Sequence, residues 1–297
     1  VSALPRLNGV IRAWETNRPA LSAFAQADRQ SAIGLSTAPY DSVIFEMEHN
    51  PWDMNALSDA LQYLLSKQQI AAAGSLACGV TPLVRVPANG REMNQAYAKQ
   101  ALDRGAYGIV WPHVATVEQA CNAVSACRYA RPRSAPLYEP VGQRGDGPSS
   151  AARYWGLSQA DYYAKADVWP LAPEGEILVG LMIESVEAIE NLDDILSNVP
   201  GIGLCLIGEG DLSQELGRPR QYDHPEVLDA MARIVSTCRR HKVAVGNPHT
   251  TAKNVDRLVD EGYTFLMQGP VKTYPAIERV LARFGVAKAD SGSGASY

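Results

Sequence analysis

The amino-acid sequence predicts a single α/β domain, and three observations carry that expectation. Short apolar runs, several of them continuous and β-branched, alternate eight times with amphipathic stretches. Unbroken hydrophobicity is what parallel strands covered on both faces require. The alternation spans roughly 250 residues, the size at which eight strand–helix units close into a (β/α)8, or TIM, barrel. The first run continues into Ala25, Gln26, Ala27, Asp28 and Arg29. A doubly wound open sheet, the alternative, usually has a glycine-rich turn there.

In chain order, the expected strands are residues 20–25, 42–48, 82–86, 108–113, 177–184, 203–208, 243–247 and 264–268. Amphipathic spacing places helices between them at 30–38, 53–67, 91–104, 116–128, 186–198, 225–241, 251–261 and 272–284. Two links exceed the usual short connections. Residues 68–81 lengthen the second-to-third connection, and residues 130–176, rich in Pro, Gly, Tyr and Trp, lengthen the fourth-to-fifth. A loop of the latter length is expected to serve as a lid or an oligomer contact. Because it leaves from the end of the barrel where helices finish, part of it is expected to be structural. The barrel domain should occupy residues 1–287, with 288–297 (KADSGSGASY) as a disordered tail.

Composition narrows the function classes. Hydrophobic residues make up 46% and charged residues 20%, which is globular usage. The net charge of −5 offers no basic footprint for nucleic acid. The longest apolar runs, such as 177–183, are far shorter than the roughly 20 residues a membrane-spanning helix needs. The first residues show no basic region leading into an apolar core. The five cysteines, Cys78, Cys121, Cys127, Cys205 and Cys238, are scattered and never spaced as CxxC. That fits free thiols in a cytoplasmic protein.

Barrel enzymes carry their chemistry at the C-terminal ends of the strands. Those ends read Glu46, Glu48 and His49; Arg85; His113; Glu184; Glu209 and Asp211; Asn247 and His249; and Gln268. Polar groups that close apolar runs need partners or a metal. Glu184 and Asp211 on neighbouring strands suit a hard divalent ion such as Mg2+ or Mn2+. Asp211 could instead cap a helix, whereas Ser185 is available for that duty beside Glu184. Arg85 could hold a carboxylate and keto oxygen of a small 2-oxo acid, or pair with Glu46 or Glu48. His49 is suited to proton transfer, and Asp103 could orient it only if the fold brings the two together. His113 and His249 are further candidates for substrate contact, while His224 and His241 read as helix-boundary residues.

Six segments in one order also carry a resemblance: FEMEH at 45–49, LVRVP at 83–87, ALDRGAYGIVWP at 101–112, GQRGDG at 142–147, MIES at 182–185 and IGEGDLS at 207–213. Over residues 20–285 the chain resembles the HpcH/HpaI aldolase family, the metal-dependent class II pyruvate aldolases of the 4-hydroxy-2-oxoheptanedioate aldolase type. The resemblance implies Glu184 and Asp211 as ligands of Mg2+ or Mn2+, with Co2+ a third candidate. It implies Arg85 on the keto or enolate oxygen, His49 polarised by Asp103 as acid/base, and Met182, Gly208, Glu209 and Gly210 around the substrate. Glu48 joins His113 and His249 as secondary candidates.

The implied reaction is reversible cleavage of a 4-hydroxy-2-oxo acid to pyruvate, or a related 2-oxo acid, and an aldehyde through a metal-bound enolate. The implied assembly is a homo-oligomer, commonly a hexamer. The alternatives are an acyl-CoA lyase, an oxaloacetate decarboxylase and a non-catalytic barrel that binds a 2-oxo acid. The family often has Asp at position 46, Gln at 182 and Pro-Ala at 209–210. Glu209 could therefore repel an acidic aldehyde, alter the metal's surroundings or point away.

Overall fold

The computed structural model describes residues 5–87, 90–269 and 273–286. Its strands are β1 (Ala20–Ser22), β2 (Phe24–Ala25), β3 (Ser42–Glu46), β4 (Thr81–Arg85), β5 (Gly108–Trp111), β6 (Val168–Trp169), β7 (Ile177–Ile183), β8 (Leu204–Ile207), β9 (Ala244–Asn247) and β10 (Phe265–Met267). All pairings are parallel, in the order β1-β10-β9-β8-β7-β5-β4-β3-β2, with β6 alongside β7. The segment expected as one first strand divides around Ala23 and closes the barrel. Its first half pairs with β10 and its second with β3, and the Ala23 carbonyl accepts from the Ile44 amide at 2.8 Å. The (β/α)8 architecture follows, with β6 as an addition outside the ring.

The pattern that suggested buried strands is met by the burial. Every residue of β5, β7, β8 and β10 is buried. Helices Val186–Asn198 and Pro225–His241 coincide with the expected bounds. Other helices are shorter than their apolar spacing implied. Residues 53–67 form Met54–Leu64 only, since Ser66 caps a separate helix, Lys67–Ala73, by accepting from the Gln69 amide. Residues 272–284 give Pro275–Arg283, with position 272 outside the described residues. The expected tail at 288–297 also lies outside them.

Two regions carry order that periodicity did not reveal. Helix Gly9–Glu15 covers the end of the barrel where the strands begin. Its Gly9 amide donates to Thr81 Oγ1 at 2.8 Å, and Trp14 Nε1 donates to the Thr264 carbonyl at 2.7 Å. The link at 130–176 holds helices Ser149–Trp155 and Gln159–Lys165 as well as β6. Trp155 stacks on Tyr107 with centroids 4.1 Å apart and donates to the Gly105 carbonyl. Buried Arg128 pairs with buried Asp167 at 2.7 Å. Tyr107 and Gly105 precede β5, so this part of the link packs at the strand-start end, away from the polar strand termini.

Candidate active site

Strand register builds the site. Glu46 and Arg85 are direct partners across β3 and β4, so their side chains meet where the strands end. Arg85 Nη2 pairs with Glu46 Oε2. Glu46 Oε1 accepts from the Glu48 and His49 amides at 2.8 and 3.1 Å. That turn returns Glu48 over the guanidinium, with its Oε2 3.1 Å from Arg85 Nη1. The guanidinium carbon also lies 4.6 Å from the centre of the Phe24 ring, and Nη1 reaches Met182 Sδ at 3.4 Å. Arg85 Nε is buried and has no hydrogen-bond partner among the described residues. Both carboxylate pairings considered from sequence therefore exist, and one donor is left over for another ligand.

Across the barrel, Ser185 caps helix Val186–Asn198 and Glu184 is free of that task. Its carboxylate is only 3% exposed, and the His113 amide donates to Oε1 at 2.5 Å. Burial, reinforced by the Asp211 charge, pushes the Glu184 carboxyl up to about 7. Gly208 directly follows β8, and a Cβ there would collide with the Glu184 carboxylate. Glycine therefore makes room for the acid. Asp211 is in the first turn of helix Glu209–Glu215, whose N-cap position is Gly208 rather than the acid. Ligand atoms of His113, Glu184 and Asp211 all lie within 4.8 Å of one another. A buried carboxylate beside an acidic neighbour and an imidazole is a donor set that fits a divalent cation.

The remaining candidates separate. Exposed His49 has Nε2 3.6 Å from Glu48 Oε2, at the edge of this cluster. Glu209 turns to other partners than the Glu184–Asp211 group: Oε1 accepts from Asn247 Nδ2 at 2.7 Å, and Oε2 lies 2.5 Å from His249 Nδ1. This hydrogen bond raises the His249 pKa, and the imidazole stacks on Tyr222 with centroids 5.0 Å apart. Gly210 is exposed beside Asp211, and Met182 is buried against Arg85.

Asp103 does not orient His49 within this chain. It lies near the C-terminal end of helix Ala96–Arg104, which leads into β5, at the opposite end of the barrel. There its Oδ1 accepts from Arg144 Nη2 at 2.8 Å. Arg144 is itself buried and covers the Tyr129 ring at 4.4 Å. Gly142 permits this arrangement, because a Cβ there would collide with the Tyr129 carbonyl. Sequence reasoning assigned no role to Arg144, Phe24 or Tyr222. Of these, only Arg144 had a visible signal, as a cation within a glycine-rich motif.

Comparison with known proteins bears on the family and the fold. A profile described as HpcH/HpaI aldolase/citrate lyase matches residues 23–272. A 2-keto-3-deoxy-L-rhamnonate aldolase of Klebsiella pneumoniae is 34% identical over 260 residues, covering 86% of this chain and 84% of the relative. A 2-dehydro-3,6-dideoxy-6-sulfogluconate aldolase of Pseudomonas putida is 28% identical over 240 residues, covering 80% and 81%. Among solved structures, an HpcH/HpaI aldolase/citrate lyase family protein from Burkholderia cenocepacia superposes with a TM-score of 0.70 at 26% identity, covering 88% of this chain and 92% of that one. The chain belongs to the HpcH/HpaI aldolase/citrate lyase family and is a carbon–carbon lyase.

Proposed function

We propose that this chain is a divalent-metal-dependent aldolase, acting reversibly on a 4-hydroxy-2-oxo acid to give pyruvate, or a related 2-oxo acid, and an aldehyde. The observation that carries the reading is the convergence of buried Glu184 with half-buried His113 and exposed Asp211, within 4.8 Å of one another, in a barrel whose Arg85 retains an unused buried donor. Glu184 and Asp211 would hold Mg2+ or Mn2+, which when bound supplies Lewis acidity toward the 2-oxo acid's oxygens.

Arg85 Nε is available to donate to the keto oxygen, while Glu46 and Glu48 fix the plane of the guanidinium. In cleavage, His49 takes the proton of the 4-hydroxyl group. The C3–C4 bond breaks as the aldehyde carbonyl forms, and its electron pair is delocalised into the 2-keto group. His49 then returns a proton to C3. Schiff-base chemistry is not required, and none of the eight expected strands contains a lysine.

The barrel separates His49 from Asp103 within one chain, so their pairing requires a second copy. A homo-oligomer in which Asp103 of one copy meets His49 of the next reconciles the two, and a cytoplasmic location suits the five free cysteines. Among the described residues, no helix is long and apolar enough to cross a membrane.

Deuterium exchange into the methyl group of pyruvate tests the central claim without a known aldehyde. Exchange should stop on exhaustive chelation and return with Mg2+ or Mn2+. Exchange that survives chelation would overturn metal dependence. Calorimetric binding of pyruvate with no exchange would instead favour a non-catalytic barrel.

A further inference from the structure

We propose that His113 is a third protein ligand of the metal, making a two-carboxylate, one-imidazole site; this rests on the metal-dependent reading above. The imidazole is placed by its own backbone. His113 has φ of +51°, a left-handed conformation that non-glycine residues rarely adopt. The same residue's amide donates to Glu184 Oε1, which locks the turn after β5 against the carboxylate. The ring then lies with Nδ1 3.4 Å from Glu184 Oε1, and one of its nitrogens belongs to the group shared with Asp211.

With Nδ1 taken as the metal donor, Nε2 supports the assignment. Nε2 faces Glu48 Oε1 at 3.9 Å, and the opposite oxygen of that carboxylate is engaged by Arg85. Imidazoles that bind metals commonly present their second N–H to a carboxylate, which fixes tautomer and orientation. Glu48 and Arg85 would thereby tie the acceptor side of the site to the metal through His113.

A nitrogen donor alters metal choice. Two carboxylates alone suit Mg2+, whereas an added imidazole favours Mn2+, Co2+ or a later transition ion. His113→Gly removes the ring and accepts the positive φ without strain, so the backbone turn is retained.

The decisive readout is spectroscopic and needs no substrate. Pulsed electron paramagnetic resonance of the Mn2+-loaded full-length protein should show 14N coupling, lost in His113→Gly and kept in His49→Ala. Calorimetry should show Co2+ binding weakened about tenfold or more by His113→Gly, with Mg2+ binding much less affected. Absence of 14N coupling in the wild-type protein, its retention in His113→Gly, or equal weakening of both metals would overturn the assignment while leaving the aldolase reading intact. Failure of the wild-type protein to bind any of these ions would overturn both.

Discussion

Arg85 and Glu48 face each other across 3.1 Å, from Nη1 to Oε2, while the same guanidinium also holds Glu46. One cation is thus placed between two carboxylates, and burial raises the Glu48 pKa despite the attraction of Arg85. Such a pairing is often structural, but the unpartnered Nε distinguishes this arginine from a saturated ion pair.

Arg85→Ala should lower kcat/KM for the aldol substrate by about 100- to 1,000-fold, the range seen when one charge-stabilising donor is lost. It should also lower the melting temperature, because Glu46 and Glu48 lose their shared cation. Arg85→Lys should recover more of the stability than of the activity, since an ammonium cannot offer the planar fork. Steady-state kinetics beside thermal melts will separate the two effects. Equal recovery of both by lysine would argue for a purely structural arginine.

The raised pKa of Glu184 sets a pH window for the metal. With a folded value of about 7, above the ordinary carboxylate range, this group favours the folded metal-free protein most at low pH. That contribution fades as pH rises toward and through 7, because the unfolded chain ionises first. A divalent ion binds the ionised carboxylate and so opposes the loss. The rise in melting temperature on adding Mn2+ should therefore be small at pH 5.5 and larger at pH 8. A shift that is the same at both values would contradict Glu184 as a ligand.

Much of this arrangement was legible because strands that are buried on both faces must be apolar until they end. Glu46, Arg85, Glu184 and Asp211 were visible as interruptions or terminations of that pattern, and parallel register brings Glu46 beside Arg85. What stayed hidden depends on direction rather than composition. Glu209 and Asp211 share one turn of helix, yet Glu209 bonds to Asn247 and His249 while Asp211 joins the Glu184 group. Sequence could not choose among the three fates open to Glu209. Likewise, Asp103 carries the expected identity, but its helix ends at the other end of the barrel, beside an arginine from a distant loop. Helix Gly9–Glu15 was missed because a two-turn segment has little periodicity to detect.

The geometry of Glu209 gives its own prediction. Glu209→Ala leaves Asn247 and His249 without their shared acceptor and should destabilise the protein by about 1–3 kcal/mol. His249 has a raised pKa, so the pair's contribution is present below the ordinary histidine value and is lost as pH rises through the folded one. Urea unfolding should accordingly show a wider gap between wild type and variant at pH 6 than at pH 9. A marked gain in use of acidic aldehydes by Glu209→Ala would instead mean that this carboxylate faces the substrate.

Asp103 provides the strongest test of assembly. Its carboxylate is held by Arg144 at the end of the barrel remote from His49, so any influence on proton transfer must cross between copies. His49→Ala and Asp103→Ala homomers should each lose most of their activity. Unfolding the two together and refolding them as mixed oligomers should restore a fraction, because some interfaces then join an intact His49 to an intact Asp103. Thermal melts will check that loss of the Arg144 partner has not unfolded the single variant. Arg144 matters to the same outcome, since it holds Asp103 in place while sitting over Tyr129. Arg144→Lys should leave the pH–rate profile of His49 altered, because a lysine cannot hold the carboxylate through two guanidinium nitrogens. Mixed oligomers with no more activity than the parent variants, alongside wild-type protein that sediments as a monomer, would remove the basis for a shared site.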